Sequence, residues 1–293
     1  MATGAETYVL VTGAAGILGL ALTDELDRRP GFAVYGADIG DFDITDARAT
    51  TEFIGAARPN VVINCAAFTR VDACESATAA CFAANGRGAA NIARAAAAVG
   101  ARSIQLSTDY IFDGRAGRAY REDDEPAPLN AYGRSKLEGE RLARAAAPDC
   151  LIVRTAWLFG VGGANFVAKI LARARGGETL RVVDDQRGSP TFAGHLAAGI
   201  ADLLTIPYRG VIHCAGAGVA SWFDVAAQVL RLAALEAPLV AIKTADFAQP
   251  ARRPVYSALD CSRFEALTGG RLPDWREGVR AYLRETGDLA ADA

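Results

Sequence analysis

Short, nearly continuous apolar runs alternate along this chain with stretches in which apolar residues recur every three or four positions. The runs are Tyr8-Val9-Leu10-Val11, Ala33-Val34-Tyr35, Val61-Val62-Ile63, Ser103-Ile104-Gln105-Leu106 and Leu151-Ile152-Val153. Strands read this way when both of their faces are covered, and the stretches between them have the period of amphipathic helices. Parallel neighbours need a crossover, which a helix supplies, so the rhythm predicts an α/β fold with a doubly wound parallel sheet. After Arg154 the pattern loosens into a Gly-rich turn at Gly160 to Gly163, a helix from about Asn165, and strands at Leu180 to Val183 and Val211 to His213.

Composition narrows the class. With 293 residues, 51% of them apolar, the chain can bury a large core. A net charge of −3 offers no field for nucleic acid or an anionic membrane, so neither partner is expected and any phosphate must be held by local groups. Cys65, Cys74, Cys81, Cys150, Cys214 and Cys261 lack metal-ligand spacing and sit in apolar segments; reduced, buried thiols are expected, with no metal site. Met1 to Glu6 has no basic end leading into an apolar run, and Ala89 to Val99 is broken by Asn91 and Arg94. Neither a secretory leader nor a membrane span is expected, and the cytoplasm is the expected compartment.

Thr12-Gly13-Ala14-Ala15-Gly16-Ile17-Leu18-Gly19 follows the first run and opens a helix. Gly13 permits a tight turn, Gly16 lets the backbone approach a pyrophosphate, and Gly19 allows close helix packing, while the free N–H groups of the helix start, from Ile17 and Leu18, favour an anion. Strand, loop and helix in that order predict a Rossmann dinucleotide site rather than a structural turn. We therefore expect residues 1–155 to bind a dinucleotide and residues 156–293 to form a smaller substrate lobe, with about 188–220 returning to the first domain. Asp38, at the end of the second run, suits ribose hydroxyls and repels a 2′-phosphate. That favours NADH, with NADPH open if Asp38 points away. Asp43 and Ile44 could meet the adenine.

Tyr132 and Lys136 lie four apart in a stretch that reads as a helix to about Ala146, so both can reach one ligand. Eight Tyr and three Lys make such a pair rare by chance. An ammonium can bond the nicotinamide ribose and is expected to lower a phenol pKa that starts near ~10. Tyr132 then gives its proton to a carbonyl as hydride arrives. Thr108, ending the fourth run, could hold that carbonyl; as a local cap it would do nothing more. His195 and His213 lack a nucleophile to serve and read as structural. Trp157, Trp222 and Trp275 read as core or lobe-packing residues on pattern alone.

These residues sit in segments through which the chain resembles the extended short-chain dehydrogenase/reductases, and within them the dTDP-4-dehydrorhamnose reductase family. The segments are Val11 to Gly19 (VTGAAGILG), Asp43 to Asp46 (DITD), Asn64 to Glu75 (NCAAFTRVDACE), Leu106 to Gly114 (LSTDYIFDG), Pro128 to Glu140 (PLNAYGRSKLEGE), Arg154 to Gly160 (RTAWLFG), Val183 to Thr191 (VDDQRGSPT) and Arg253 to Asp260 (RPVYSALD). The resemblance implies reduction of the C4 ketone of a nucleotide-activated 6-deoxy-hexose, with Thr108, Tyr132 and Lys136 as catalytic residues. It also assigns Ala66, Ala67, Thr69 and Asn85 to the cofactor cleft, and Tyr110, Trp157, Asn165 and Gln186 to the nucleotide-sugar substrate. Trp157 becomes a substrate wall on that ground, while Trp222 and Trp275 stay core candidates. Some relatives bind a metal between subunits; here either a monomer or a homodimer fits. Arg252 and Arg253 could meet the diphosphate, or be solvated charges.

Two rival readings share these residues. An epimerase or dehydratase would retain its NAD and return the hydride within one cycle. A dehydratase is expected to carry an acidic pair beside Thr108, where this chain has Asp109 followed by Tyr110. A non-catalytic, nucleotide-sensing subunit on the same fold is the other.

Overall fold

The computed structural model describes residues 6–291 and sets the apolar runs side by side. The first half comprises β1 (Thr7–Thr12), α1 (Ile17–Arg28), β2 (Phe32–Ala37), α2 (Ala47–Ala57), β3 (Val61–Asn64), α3 (Val71–Ser76), α4 (Thr78–Phe82), α5 (Ala89–Ala98), β4 (Arg102–Thr108), α6 (Ala131–Ala146) and β5 (Leu151–Thr155). Then come β6 (Leu158–Phe159), α7 (Phe166–Arg175), β7 (Leu180–Val183), β8 (Arg187–Gly188), β9 (Thr191–Phe192), α8 (Ala193–Leu204) and β10 (Gly210–His213). The chain continues through β11 (Ala220–Ser221), α9 (Trp222–Leu232), β12 (Leu239–Ile242), α10 (Ser262–Thr268) and α11 (Trp275–Glu285).

Six strands form one parallel sheet in the order β10-β5-β4-β3-β1-β2. The fold is α/β and doubly wound, as the apolar rhythm predicts. From β1 the chain winds outward to β2 and then returns to the other side at β3, so the crevice for a ligand opens at the carboxyl ends of these strands. On one face Leu18, Leu22 and Leu26 of α1 pack with Leu196 and Ile200 of α8 against Val9, Val11, Ile104 and Val153. The opposite face pairs Leu10 and Val62 with Ile54 of α2 and Ile92 of α5. Each such side chain contributes ~1.5–3 kcal/mol, so Leu22→Ala would cost about 2–5 kcal/mol and loosen the helix that starts at the glycine loop.

A second core gathers Val167 and Leu171 of α7, Val225 and Val229 of α9, and Val279 and Leu283 of α11 around Leu180 of β7. Trp275 is buried in it. Between the contributions of this core the chain passes back to the large sheet, where β10 adds the edge strand beside β5. Glu140 of α6 and Arg154 of β5 form an ion pair only 5% exposed on either side, at 2.8 Å. Ser107 also donates to Glu140, so the pair is satisfied and pins α6 to two strand ends.

Candidate active site

A cavity of about 940 Å³ runs along the carboxyl edge of the sheet, within the size range of small-molecule and cofactor sites. Its first end is built by the glycine loop. Gly13 has a φ of 70°, a left-handed turn that costs a side-chain residue energy, and a Cβ there would lie 2.6 Å from the Ala66 backbone nitrogen. Loop and β3 turn thus meet backbone to backbone, leaving a cradle beside the N-terminus of α1. Gly13, Gly16, Ile17, Leu18, Gly19, Asp38, Asp43, Ile44, Ala66, Ala67 and Thr69 all border the cavity. Asp38 accepts from the Ala15 N–H at 2.8 Å and the Ile39 N–H at 2.7 Å, which turns its carboxylate toward the loop. Its remaining lone pairs can accept hydroxyls but oppose another anion. Ile39 and Phe42 also line this end, unsignalled in the sequence except by their place after a strand.

Asn85 lies behind the wall instead. It sits in a π-helical turn, Ala83–Gly88, accepts from the Phe68 N–H at 2.7 Å, and donates to the Phe68 carbonyl and the Ser135 hydroxyl. Buried and fully engaged, it clamps the Ala66–Thr69 turn to α6 rather than facing a ligand.

At the other end Thr108, Tyr132 and Lys136 converge on the cavity. Asn130 caps α6, accepting from the Gly133 N–H at 2.7 Å, and the helix then presents Tyr132 and Lys136 on one face. Lys136 donates to the Leu106 carbonyl at 2.6 Å, spending one of its three donors. Burial lowers its pKa to about 8, against an opposing pull from Glu140. The expected lowering of the Tyr132 phenol by Lys136 is not found. Burial, with Asp109 second, holds that phenol well above its usual value, and the Thr108 hydroxyl only partly offsets it. Tyr132 is therefore fully protonated near neutrality, the form a proton donor needs.

Thr108 does more than cap. It accepts from the Tyr110 N–H and donates to Asp109 at 3.0 Å. Asp109 also accepts from Ser257, and burial pushes its carboxyl up to about 7. When protonated, Asp109 can donate to Thr108 and leave the threonine proton free for a ligand. Tyr110 borders the cavity edge-on to Tyr132, with ring centroids 6.0 Å apart.

Trp157 borders the cavity with a φ of 47°, a strained position for a side-chain residue. Trp222, expected in a core, borders it too and stacks flat on Trp157 at 3.6 Å. An aromatic opening an amphipathic helix reads as core in the sequence; only the tertiary contact puts it here. Gly188 makes the stack possible, since a Cβ on it would lie 2.4 Å from the Trp157 ring.

Four of the residues assigned to the substrate do not border the cavity. Gln186 accepts from the Trp222 indole N–H at 3.2 Å and donates to Thr244, so it holds the wall from behind. Asn165 caps α7 and donates to the Gly160 and Gly163 carbonyls, fixing the glycine turn whose Gly162, Gly163 and Ala164 do line the site. Arg253 is committed to Asp72 through two contacts of 2.8 Å. The Arg252 carbonyl accepts from Asn130 and its side chain is exposed. His213 is buried, bonded to the Tyr120 carbonyl and pushed down to about 3 by burial, a structural histidine. The six cysteines, all among the described residues, are free of disulfides, Cys65 being the one beside the cavity.

Glycine cradle, carboxylate at the second strand and a Tyr/Lys pair on one helix together define a nucleotide-binding Rossmann protein of the dehydrogenase/reductase kind. The family model described as RmlD substrate binding domain matches residues 7–287 of the chain. A dTDP-4-dehydrorhamnose reductase of Streptomyces griseus is 45% identical over 92% of this chain and 91% of its own. The dTDP-4-dehydrorhamnose reductase structure from Clostridium acetobutylicum superposes with a TM-score of 0.92 at 39% identity, covering 96% of this chain and 99% of that one. Its Bacillus anthracis counterpart, solved in complex with NADP, also scores 0.92, at 34% identity and coverages of 96% and 99%. The chain belongs to the dTDP-4-dehydrorhamnose reductase (RmlD) family.

Proposed function

We propose that the chain reduces the C4 ketone of a dTDP-4-keto-6-deoxy-hexose, dTDP-4-dehydrorhamnose giving dTDP-rhamnose, with NADH or NADPH as reductant. One observation carries the reading: Thr108, Tyr132 and Lys136 meet in the same cavity as the glycine loop, in a chain of this family. Residues 1–155 hold the cofactor and 156–293 close over the sugar, with about 188–220 returning to the first domain. The Asp38 carboxylate favours NADH, because it accepts ribose hydroxyls and repels a 2′-phosphate.

A reduced nicotinamide, when bound, supplies a hydride to C4. Tyr132 gives its phenolic proton to the carbonyl oxygen, so the C=O is reduced to a C–O single bond with a new C–H from the hydride and a new O–H from the phenol. Thr108 bonds that oxygen, and the free donors of Lys136 hold ribose hydroxyls beside the phenol. Trp157 and Trp222 wall the sugar-nucleotide side, with Tyr110 at the sugar. Nucleotide sugar and reductant both belong to the cytoplasm, where we place the protein; no described helix is long and apolar enough to cross a membrane. The scheme fits a monomer or a homodimer alike. The test is stoichiometry: one NAD(P)H oxidised per ketosugar consumed, with NMR of the product. Turnover without net oxidation would mean a cofactor-retaining epimerase or dehydratase, and no turnover despite dinucleotide binding would mean a regulatory subunit.

A further inference from the structure

Thr155 ends β5, buried except for 8% of its surface, and it borders the cavity. Its hydroxyl has no hydrogen-bond partner among the described residues. Valine would fill the same space without leaving a polar group unmatched, so a hydroxyl here calls for a partner that the described residues do not supply. Its position says what that partner is. Thr155 is the register partner of Thr108 on the neighbouring strand, roughly 5 Å across the sheet. Lys136, which holds the ribose, is bonded to the Leu106 carbonyl two residues before Thr108.

The dinucleotide starts at the glycine loop beside β1, and its nicotinamide half must run over β3 and β4 toward β5. The ring carbon that gives up hydride has to face a carbonyl held at Thr108 and Tyr132. The carboxamide sits on the adjacent ring carbon, which brings it to the strand ends where Thr155 lies. Resting on the dinucleotide reading above, we infer that the Thr155 hydroxyl bonds the nicotinamide carboxamide and fixes which face of the ring meets the sugar. A hydroxyl suits that group because it can donate to the amide oxygen or accept from the amide nitrogen. The Trp157 indole N–H is also without a partner among the described residues, but it is wedged against Gly188, where a Cβ would lie 2.5 Å from it. Ser103, likewise unpartnered, is near the opposite end of β4.

Calorimetric titration with NADH and with ADP-ribose, which lacks the nicotinamide, tests this without turnover. For Thr155→Val we expect NADH to bind about 5- to 10-fold more weakly and ADP-ribose to bind as in the parent. Thr155→Ser should restore NADH affinity, and the melting temperature of Thr155→Val should not fall, since the lost hydroxyl bonds none of the described residues. With stereospecifically deuterated NADH, the valine variant should also transfer hydride with reduced facial selectivity. Equal weakening of both ligands, or undiminished NADH binding in Thr155→Val and Thr155→Ala alike, would overturn the inference. If the parent protein bound neither ligand, the dinucleotide reading itself would fall.

Discussion

Replacing Asp109 with asparagine removes a buried carboxyl while keeping its shape. The carboxyl accepts from Thr108 and Ser257 and is pushed up to about 7 by burial; in the unfolded chain it titrates near ~4. Its folded pKa is the higher of the two, so its contribution to stability is complete below pH ~4 and is lost as pH rises through 7. Between pH 5 and pH 8 that loss amounts to about 2–3 kcal/mol. The asparagine carries no such penalty, and its oxygen and amide can still meet the two hydroxyls, one as donor and one as acceptor. Urea melts of parent and Asp109→Asn at both pH values isolate the effect, because every other titrating group cancels in the difference. The parent should lose about 2–3 kcal/mol more than the variant on going from pH 5 to pH 8. Parallel pH dependences would mean that Asp109 is not held protonated by burial, because water or rearrangement solvates it.

Further outcomes follow from the same geometry. Tyr132→Phe should leave NADH affinity near the parent's by calorimetry while kcat falls roughly 10²- to 10⁴-fold, the size expected for loss of a general acid. Lys136 is depressed to about 8 by burial, so NADH affinity should weaken as pH rises through 8 and the ammonium is lost; Lys136→Ala should bind weakly and show no such step in titrations from pH 6 to pH 9.5. Gly188→Ala places a methyl 2.4 Å from the Trp157 ring, and should raise KM for the nucleotide sugar about tenfold or more with NADH affinity unchanged.

What the sequence makes legible here is what depends on neighbours along the chain. Continuous apolar runs such as Val61-Val62-Ile63 mark strands buried on both faces, and β3 is where that run predicts it. The spacing of Tyr132 and Lys136 puts them on one face of α6, and Gly13 to Gly16 form the turn into α1. Roles set by contacts far along the chain are not visible in the same way. Arg253 reads as free for a diphosphate until Asp72, 181 positions away, accepts from both of its terminal nitrogens. Gln186 and Asn165 are polar residues in glycine-rich stretches, and only the folded chain shows one holding Trp222 and the other a turn. Thr155 looks like any β-branched residue ending a strand. It becomes informative once Arg154 beside it is paired and its own hydroxyl is not.

The most direct test of the central claim follows the hydride itself. The protein is incubated with a dTDP-4-keto-6-deoxy-hexose and NADH carrying two deuterons at the nicotinamide C4, and the isolated sugar nucleotide is read by mass and by NMR. One deuterium per product molecule is expected, bound at sugar C4, with one oxidised cofactor left carrying the other. Deuterium at any other carbon, or a transformed sugar without deuterium and a cofactor still reduced, would contradict it.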